Sequence, residues 1–363
     1  MKRNPPDLFL FLVTMTLLVI GLIIVTSASA PESLHMTHGK SALMYGMRQL
    51  IFALVGVGML LFMMKFPYRN LKKITLPAFL ISIGFLVLVL LVASAVKGSK
   101  RWINIGFFVF QPSEFAKLTL IILLAHYLSE IKKGVTNFFI GVAIPLAVTG
   151  LVCALILLEP DLGTAIVIFA TFMMMLFVSG AKVFHLVMLG LFGLGLGTVL
   201  VVIEPYRFQR LGAFLNPWKD PQGDGWQIIQ SLYALGSGGP FGLGLGMGRQ
   251  KFDYLPEAHT DYIFSILGEE LGLLGTVAVI ALFFFLAWRG YKIAIEVKDP
   301  FARLLAAGIT SFLVFQAILN IGVVTSSIPV TGITLPFLSS GGSSLVVSLF
   351  SIGILLNISK YAE

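Results

Sequence analysis

Long runs of apolar residues recur along the whole chain, and they constrain its fold more than any other feature. Each run is close to the roughly 20 residues that a helix needs to cross a bilayer. Hydrophobic residues make up 57% of the 363 positions and charged residues only 12%, which is far from the balance of a soluble domain. Because lipid cannot hydrogen-bond an open backbone, the spanning segments must be helices. The sequence therefore predicts an all-α polytopic membrane protein.

The apolar runs predict ten transmembrane helices within a single domain, residues 1–363. Lys2 and Arg3 precede the first run, as in a secretory signal peptide, but the run is longer than the usual apolar core of about 7–15 residues. We interpret it as a retained span, with cleavage as the alternative. We place the spans at residues 8–29, 46–65, 74–96, 112–131, 137–158, 163–180, 183–203, 268–288, 303–325 and 341–359.

The distribution of lysine and arginine predicts the orientation. The short loops on one side hold only Lys40, Arg48, Lys97, Lys100 and Arg101, whereas the segments on the other side hold many more cations. Cytoplasmic loops are the ones enriched in these residues, so both termini are expected in the cytoplasm. A long loop between the seventh and eighth spans, about residues 204–267, is then extracytoplasmic.

Charge and cysteine content exclude several classes of protein. The net charge is +8, but no basic run with interleaved aromatic residues is present, so we expect anionic lipid headgroups and no nucleic acid as partners. Cys153 is the only cysteine, which excludes a disulfide framework and a cysteine-based metal site.

The long loop contains a candidate amphipathic helix that would lie along the membrane interface. Trp226, Ile229, Leu232 and Tyr233 recur at helical spacing, and polar side chains lie opposite them, namely Gln227, Gln230 and Ser231.

Ionisable residues cluster where this loop meets the eighth span. Glu257, His259 and Asp261 are followed closely by Glu269 and Glu270. Such groups are costly at a membrane boundary and usually mark a functional site. Acids in a first helical turn also complement the helix dipole, and this alternative stays open for Glu269 and Glu270. No helix end requires Asp261, which is therefore the leading candidate.

The segment between the third and fourth spans combines cations with an aromatic residue. Arg101 and Trp102 could hold a phosphate and a sugar or lipid, and an aromatic belt with snorkelling cations is the alternative. Glu114 and Lys117 are three residues apart on one helix face and are expected to pair. That pair could bind substrate or be purely structural.

Three further segments have ambiguous chemistry. Glu159 and Asp161 flank a proline and could hold a divalent cation, although two acids are a weak signal. The glycine-rich segment 236–248 lacks the context of a nucleotide loop, so we expect its glycines to permit tight backbone folding. Segment 327–344 is apolar and uncharged, and we expect it to dip into the protein and line a pocket, with a plain outer turn as the alternative.

Taken together, these motifs resemble the SEDS family of cell-wall polymerases, and in particular its division and sporulation type (FtsW/SpoVE), with the elongation type (RodA) next. The match covers nearly the whole chain, and one departure is Ser340, where the family usually has tyrosine. The matching motifs are Ser27-Ala-Ser29, Lys100-Arg-Trp102, Gln111-Pro-Ser-Glu-Phe-Ala-Lys117, Glu159-Pro-Asp-Leu-Gly-Thr164, Phe214-Leu-Asn-Pro-Trp218, Gln230-Ser231, Tyr254-Leu-Pro-Glu-Ala-His-Thr-Asp261 and Gly268-Glu-Glu-Leu-Gly272.

The resemblance implies a ten-helix glycosyltransferase in the bacterial cytoplasmic membrane. Such an enzyme polymerises lipid II into β-1,4 glycan on the outer face, with undecaprenyl-pyrophosphate-linked glycan as donor, for septal wall synthesis in division or sporulation. The resemblance also implies a divalent cation (Mg or Mn), a class B penicillin-binding protein as partner, and other divisome proteins. Asp261 matches the proposed catalytic carboxylate of the family. The candidate substrate-binding residues are Arg101, Trp102, Glu114, Lys117, Arg210, Gln230, Glu257, His259 and Ser343.

Two other functions compete with the enzyme. A lipid II flippase would need a charged pathway that reaches the middle of the membrane. In this sequence the charges crowd the outer edge, and the inner half of each span is nearly bare, which favours the enzyme. A scaffold that only recruits a transpeptidase would leave Asp261 unexplained.

Overall fold

The computed structural model describes residues 4–92, 101–105 and 108–362, and it is almost wholly helical over them. The helices are α1 (Leu8–Ala28), α2 (Ala30–Met36), α3 (Met44–Lys65), α4 (Leu71–Val92), α5 (Pro112–Ile131), α6 (Ile144–Leu158), α7 (Leu162–Ser179), α8 (Val183–Ile203), α9 (Pro205–Leu215), α10 (Trp226–Ser237), α11 (Ile263–Glu296), α12 (Pro300–Val324) and α13 (Gly342–Ser359). A π-helical turn, Phe138–Ala143, leads directly into α6.

A small hairpin departs from the all-α prediction. Strand β1 (Ile103–Ile105) pairs antiparallel with β2 (Phe108–Phe110) just before α5. Lys97 and Lys100, which we placed in an extracytoplasmic loop, lie outside the described residues.

The predicted spans agree with the helices to within a few residues, except for the eighth. The predicted end of the third span, residues 93–96, lies outside the described residues. The predicted span 268–288 lies inside α11, which begins at Ile263 and continues for 34 residues. The preceding long segment, which we call the outer segment after its predicted side of the membrane, therefore ends at residue 262 and not at 267. The apolar run that guided the prediction is interrupted by Glu269 and Glu270, which are nevertheless buried within the helix.

Nine helical segments in the described part of the chain are long and apolar enough to cross a membrane. The remaining predicted span is α5, which has 20 residues and the predicted bounds 112–131. Glu114 and Lys117 in its first turns reduce its hydropathy, although both side chains are buried by neighbouring helices. The count of ten spans stays a prediction.

The core lies around α12 and α13. Helix α12 packs against α5, α7 and α11, and α13 packs mainly against α3. By contrast, α8 lies at the periphery, and only Leu189 of its residues is buried. Polar side chains on α12 are therefore shielded from lipid by other helices.

The glycine-rich segment docks onto a kink in α11. The kink lies at Gly272, whose φ of 68° and ψ of −164° are not helical. Just before it, the N–H groups of Leu243 and Gly244 donate to the carbonyls of Glu269 (2.9 Å) and Glu270 (3.1 Å). A Cβ on Gly242, where φ is +81°, would lie 2.1 Å from the Glu270 carbonyl oxygen. The interpretation that these glycines permit tight backbone folding is confirmed.

The amphipathic helix in the outer segment is present as α10, but its buried face differs from the prediction. Gln230 and Ser231, which we placed on the polar face, are buried, whereas Tyr233 is exposed. The Ser231 hydroxyl donates to the Val324 carbonyl at 2.7 Å and lies 2.7 Å from Ser265 Oγ. The helix packs on α11 through its small polar residues, so pairing across helices determines which face is buried.

The two ends of the described chain meet at one end of the helix bundle. The N–H of Asn4 donates to the carbonyl of Lys360 at 2.9 Å. Its side-chain amide donates to the Ala362 carbonyl at 2.9 Å, and Ala362 in turn forms an isolated bridge with Val297.

Candidate active site

Asp261 lies where the outer segment joins α11. Turns precede it, and the helix begins two residues later at Ile263. Its carboxylate faces the segment between α12 and α13, because a Cβ built on Gly332 would be 3.5 Å from Asp261 Oδ2. Among the described residues, no hydrogen bond to this carboxylate is found, so both oxygens are available to accept a proton.

The surroundings of Asp261 favour its protonated form. Burial in protein raises the pKa of Asp261 to about 6, and the nearby negative charge of Glu257 adds to the rise. Arg210 and Arg101 oppose this rise in pKa because they stabilise the carboxylate, and Asp161 contributes a small further rise. An acid with a pKa near the operating pH is well suited to act as a general base.

Three successive backbone carbonyls hold the Asp261 segment in place. The carbonyl of His259 accepts from the N–H of Ser340 at 2.9 Å. The carbonyl of Thr260 accepts from the Ser339 hydroxyl at 2.7 Å. The carbonyl of Asp261 accepts from Asn320 Nδ2, also at 2.7 Å.

Arg101 binds the turn that joins α6 to α7. Its Nε donates to the Glu159 carbonyl at 3.0 Å, and its guanidinium also donates to the Pro160 carbonyl. Its Nη1 lies 3.7 Å from Asp161 Oδ2. The carboxylate of Asp161 caps α7, since it accepts from the N–H (3.0 Å) and the hydroxyl (2.9 Å) of Thr164.

Glu159 is the unsatisfied acid of this turn. Its side chain is fully buried, and neither carboxylate oxygen has a hydrogen-bond partner among the described residues. Burial raises the pKa of Glu159 to about 8, the charge of Asp161 raises it further, and Arg101 opposes the rise. In the absence of a cation this acid therefore holds its proton at neutral pH, and a cation that bound it would displace the proton.

The predicted pairing of Glu114 with Lys117 is confirmed. Lys117 Nζ donates to Glu114 Oε1 at 2.9 Å and to Gln316 Oε1 at 3.0 Å. Gln316 Nε2 then donates to the Thr334 carbonyl at 3.0 Å. The pair is buried between α5 and α12, and it supports the same α12–α13 segment that faces Asp261.

A cavity of about 360 Å³ opens beside this segment, between α9 and the start of α10. Arg210 lines it and donates from Nη1 to the Val330 carbonyl at 3.1 Å. Its guanidinium also lies over the Tyr206 ring, 4.4 Å from the ring centroid. Side-chain amides (Gln209, Gln222, Gln227) and Trp226 complete a mixed polar and aromatic lining.

The other candidate residues take different positions. Glu257 accepts from the Thr260 hydroxyl at 2.9 Å in the turn before Asp261. His259 Nδ1 lies 3.3 Å from Glu32 Oε2, and its ring contacts Tyr45. The structure thus brings Glu257 next to Asp261 and directs His259 toward α2 and α3.

Three candidates lie apart from the carboxylate. Gln230 is buried in α10, and Trp102 is half-buried just before β1. Ser343 donates to the Val109 carbonyl at 3.0 Å and accepts from the Gln111 N–H at 3.2 Å, so it ties α13 to the hairpin.

Sequence reasoning missed Gln316, Asn320 and Ser339. Gln316 and Asn320 are amides one turn apart in an apolar span, and this spacing was the available signal. Among the described residues, no group of three or more His, Cys, Asp or Glu side chains is placed to hold a metal ion.

The fold and site define a multi-pass membrane protein with a carboxylate of raised pKa just before one of its membrane-length helices. The chain belongs to the FtsW/RodA/SpoVE family, whose model, described as "Cell cycle protein", matches residues 7–363. The SEDS resemblance is thereby confirmed.

Two relatives illustrate this membership. "Stage V sporulation protein E" of Bacillus subtilis (strain 168) is 47% identical over 364 residues, which cover 100% of this chain and 99% of that protein. "Probable peptidoglycan glycosyltransferase FtsW" of Trichlorobacter lovleyi is 42% identical over 97% of this chain and 93% of that protein.

Solved structures share the fold. A chain from the structure titled "Structural coordination of polymerization and crosslinking by a peptidoglycan synthase complex" matches with a TM-score of 0.79 and 30% identity, over 99% of both chains. RodA of Thermus thermophilus matches with a TM-score of 0.71 and 28% identity, over 99% of this chain and 98% of that one.

Proposed function

We propose that this protein is a peptidoglycan glycosyltransferase that polymerises lipid II into β-1,4 glycan strands for septal wall synthesis. Its relatives named FtsW are called probable peptidoglycan glycosyltransferases, and another relative is named for a stage of sporulation. The observation that carries the proposal is Asp261, a carboxylate with a raised pKa and no hydrogen bond within the described chain, at the end of a membrane helix.

Asp261 would act as the general base. The 4-hydroxyl of the acceptor sugar transfers its proton to the carboxylate while its oxygen attacks C1 of the lipid-linked donor. A C1–O4 bond forms, and the bond from C1 to the pyrophosphate oxygen breaks with its electron pair on the pyrophosphate. Because attack comes from the opposite face, an α-linked donor gives a β-linked product.

Among the described residues, Arg210 is the cation best placed to stabilise the leaving pyrophosphate. It lines the 360 Å³ cavity, and its charge acts on Asp261. Arg101 and Lys117 are engaged with protein acceptors, so they would act through longer-range charge. The cavity lies within the about 300–1,000 Å³ typical of small-ligand sites, and its amides and aromatic rings suit a sugar.

We propose that Mg²⁺ or Mn²⁺ binds together with the pyrophosphate. Mg²⁺ commonly takes one or two protein carboxylates and completes its shell with phosphate oxygens and water. Glu159, whose oxygens have no partner in the described chain, is the carboxylate that fits this role. When bound, such an ion would neutralise charge on the leaving group. Polymer synthesis should stop in EDTA and resume with either metal.

We propose that the protein resides in the bacterial cytoplasmic membrane with both termini in the cytoplasm and the site outside. The positive-inside bias supports this orientation. The contact between Asn4 and Lys360 adds support, because ends at the same side require an even number of crossings. Nine apolar segments and α5 would supply ten.

We propose a class B penicillin-binding protein as the partner, with other divisome proteins around it. The structure whose chain matches with a TM-score of 0.79 is titled as a synthase complex that coordinates polymerization and crosslinking. A polymerase whose product must be crosslinked benefits from such an association.

Purified protein in vesicles with lipid II, with and without the cognate class B penicillin-binding protein, tests the function. Wild type should form glycan polymer, and Asp261→Asn should lose it at least 100-fold while keeping the wild-type melting temperature. Polymer made by Asp261→Asn at the wild-type rate would disprove the base assignment. Translocation of lipid II without polymer would indicate a flippase.

A further inference from the structure

We propose that Asn320 and Ser339 are positioning residues that hold the Asp261 segment against the α12–α13 segment in the geometry that the transfer reaction needs. The proposal rests on the function proposed above, and it concerns two residues that sequence reasoning did not select. The hydrogen bonds of both side chains go to backbone carbonyls and not to the Asp261 carboxylate, so both would act through the backbone that carries it.

Asn320 bridges two chain segments with one amide group. It is 1% exposed and lies near the end of α12. Its Nδ2 donates to the carbonyl of Asp261 and to the carbonyl of Ile333, each at 2.7 Å. Because both hydrogens of the amide are used, the separation between the two segments is set by a single rigid group.

Ser339 provides a second bridge. Its hydroxyl donates to the Thr260 carbonyl at 2.7 Å and accepts from the Leu335 N–H at 2.7 Å. The neighbouring Ser340 adds a third bond through its backbone N–H, which reaches the His259 carbonyl. Since Ser340 uses only its backbone, its departure from the usual tyrosine does not affect this contact.

The Asp261 segment needs such support because it has little regular structure. Residues 249–262 run through turns, and Glu257 has a φ of +56°. Close to Asp261, the local backbone bonds are those from the N–H groups of Thr260 and Tyr262 to the Glu257 carbonyl, at 3.1 and 3.2 Å. The three carbonyls of residues 259–261 are instead bound by α12 and the α12–α13 segment.

Ser339 is also held by a hydrogen bond from the core helix α3. Gln49 on α3 donates from Nε2 to the Ser339 carbonyl at 3.0 Å. Ser339 therefore lies between a core helix and the segment that carries the base. A misplacement of about 1 Å at a reacting group can lower a rate by about 100-fold, so even small movements of this segment matter.

The test compares Asn320→Leu with Asn357→Leu in the full-length protein with its partner in lipid II vesicles. Asn357 is a matched control: it is also a buried asparagine on a span, its Nδ2 donates to Met64 O at 2.8 Å, and its Oδ1 accepts from Tyr68 N at 3.1 Å. We expect Asn320→Leu to lower kcat per folded molecule by about 10- to 100-fold with KM for lipid II within about twofold. Asn357→Leu should keep kcat per folded molecule.

A pH profile separates positioning from loss of folded protein. A smaller fraction of folded protein lowers the rate by the same factor at every pH. A displaced Asp261 would instead be better solvated, which lowers its pKa, so the acidic limb of the profile should move to lower pH in Asn320→Leu. If Asn320→Leu keeps the wild-type kcat per folded molecule and an unshifted acidic limb, the proposal is overturned.

Ser339 keeps the proposal falsifiable when Asn320→Leu fails to fold. Ser339→Ala should show the same loss of kcat, and Ser339→Thr, which retains the hydroxyl, should restore most of it. Wild-type kcat in Ser339→Ala would overturn the proposal. Asp261→Asn is measured alongside: if it is inactive while the Asn320 and Ser339 variants are fully active, positioning alone is wrong. If it is active, the base assignment itself is wrong.

Discussion

Lys251 Nζ lies 2.7 Å from Glu270 Oε1 in an ion pair that is buried on both sides. The same ammonium group donates to Ser27 Oγ and to the Gly246 carbonyl, both at 2.8 Å, so its three hydrogens all have acceptors. The pair therefore joins the outer segment, α1 and α11 in one cluster.

Removing one partner of this pair should destabilise the protein strongly. Lys251→Met leaves the Glu270 carboxylate buried without its cation, which typically costs about 3–5 kcal/mol in the free energy of unfolding. The double variant Lys251→Met/Glu270→Met should recover much of that loss. Lys292→Met, which removes a half-exposed pair with Glu296, should cost less than about 1 kcal/mol. Equal losses from Lys251→Met and Lys292→Met in thermal unfolding would contradict this view.

Activity should fall as the pH drops through about 6. Asp261 must be ionised to accept a proton, and its pKa is raised to about 6. Glu257→Gln removes a negative charge that raises this pKa, so the acidic limb of kcat/KM should move to lower pH. Glu204→Gln, at an exposed acid elsewhere in the outer segment, should leave the limb unchanged. A limb that moves upward in Glu257→Gln would refute the electrostatic assignment.

Arg210→Met should have the opposite effect on the pH profile. Arg210 lowers the pKa of Asp261, so its loss should move the acidic limb to higher pH. Loss of a cation that stabilises the leaving pyrophosphate should also lower kcat by about tenfold or more. Arg207→Met on the same helix is the control, because Arg207 donates to the Leu200 carbonyl and does not line the cavity. The same profile and rate in both variants would exclude the role given to Arg210.

Glu159→Gln should stabilise the protein near neutral pH in the absence of metal. The pKa of Glu159 is raised from 4.5 to about 8, so between these values the folded state binds a proton that the unfolded state has lost. Stability therefore falls as pH rises across this window. The neutral glutamine avoids this loss, and the gain should be about 3 kcal/mol at pH 7, because that pH lies well above the unfolded pKa of 4.5 and each unit is worth about 1.4 kcal/mol. Unfolding measured at pH 5 and pH 7.5 should show a small difference at the lower pH and a much larger one at the higher pH.

The helices were predictable because lipid imposes long apolar runs. The bounds of α3, α5, α8 and α13 all lie within two residues of the predictions. The start of α11 was not predicted, because Glu269 and Glu270 resemble a boundary in a window of hydropathy.

The partners of these two acids come from a distant segment. Glu269 accepts from the backbone N–H of Arg249 at 2.8 Å, and Glu270 pairs with Lys251. The alternative interpretation, that these acids complement the dipole at the start of a helix, does not apply, because they lie inside α11. No local pattern reveals such contacts, since they exist only after the glycine-rich segment has folded back onto the kink.

The candidate site also contains both contacts that the sequence predicts and contacts that it does not. The pairing of Glu114 with Lys117 was predictable, because three-residue spacing on a helix brings side chains together. The contacts of Asn320 depend on how the α12–α13 segment returns into the protein, which spacing does not encode. The prediction of the buried face of α10 was wrong for a similar reason, because Ser231 hydrogen-bonds to Ser265 and Val324 on other helices.

The contact of Asn4 with Lys360 brings the two ends of the described chain together. A short linker could join residue 362 to residue 4, and new ends could be opened between α5 and α6 on the same side of the bundle, where Glu130 pairs with Lys72. Such a circular permutant would keep every helix in place, and it would carry a fluorescent reporter at a point of the molecule that the native chain order leaves internal.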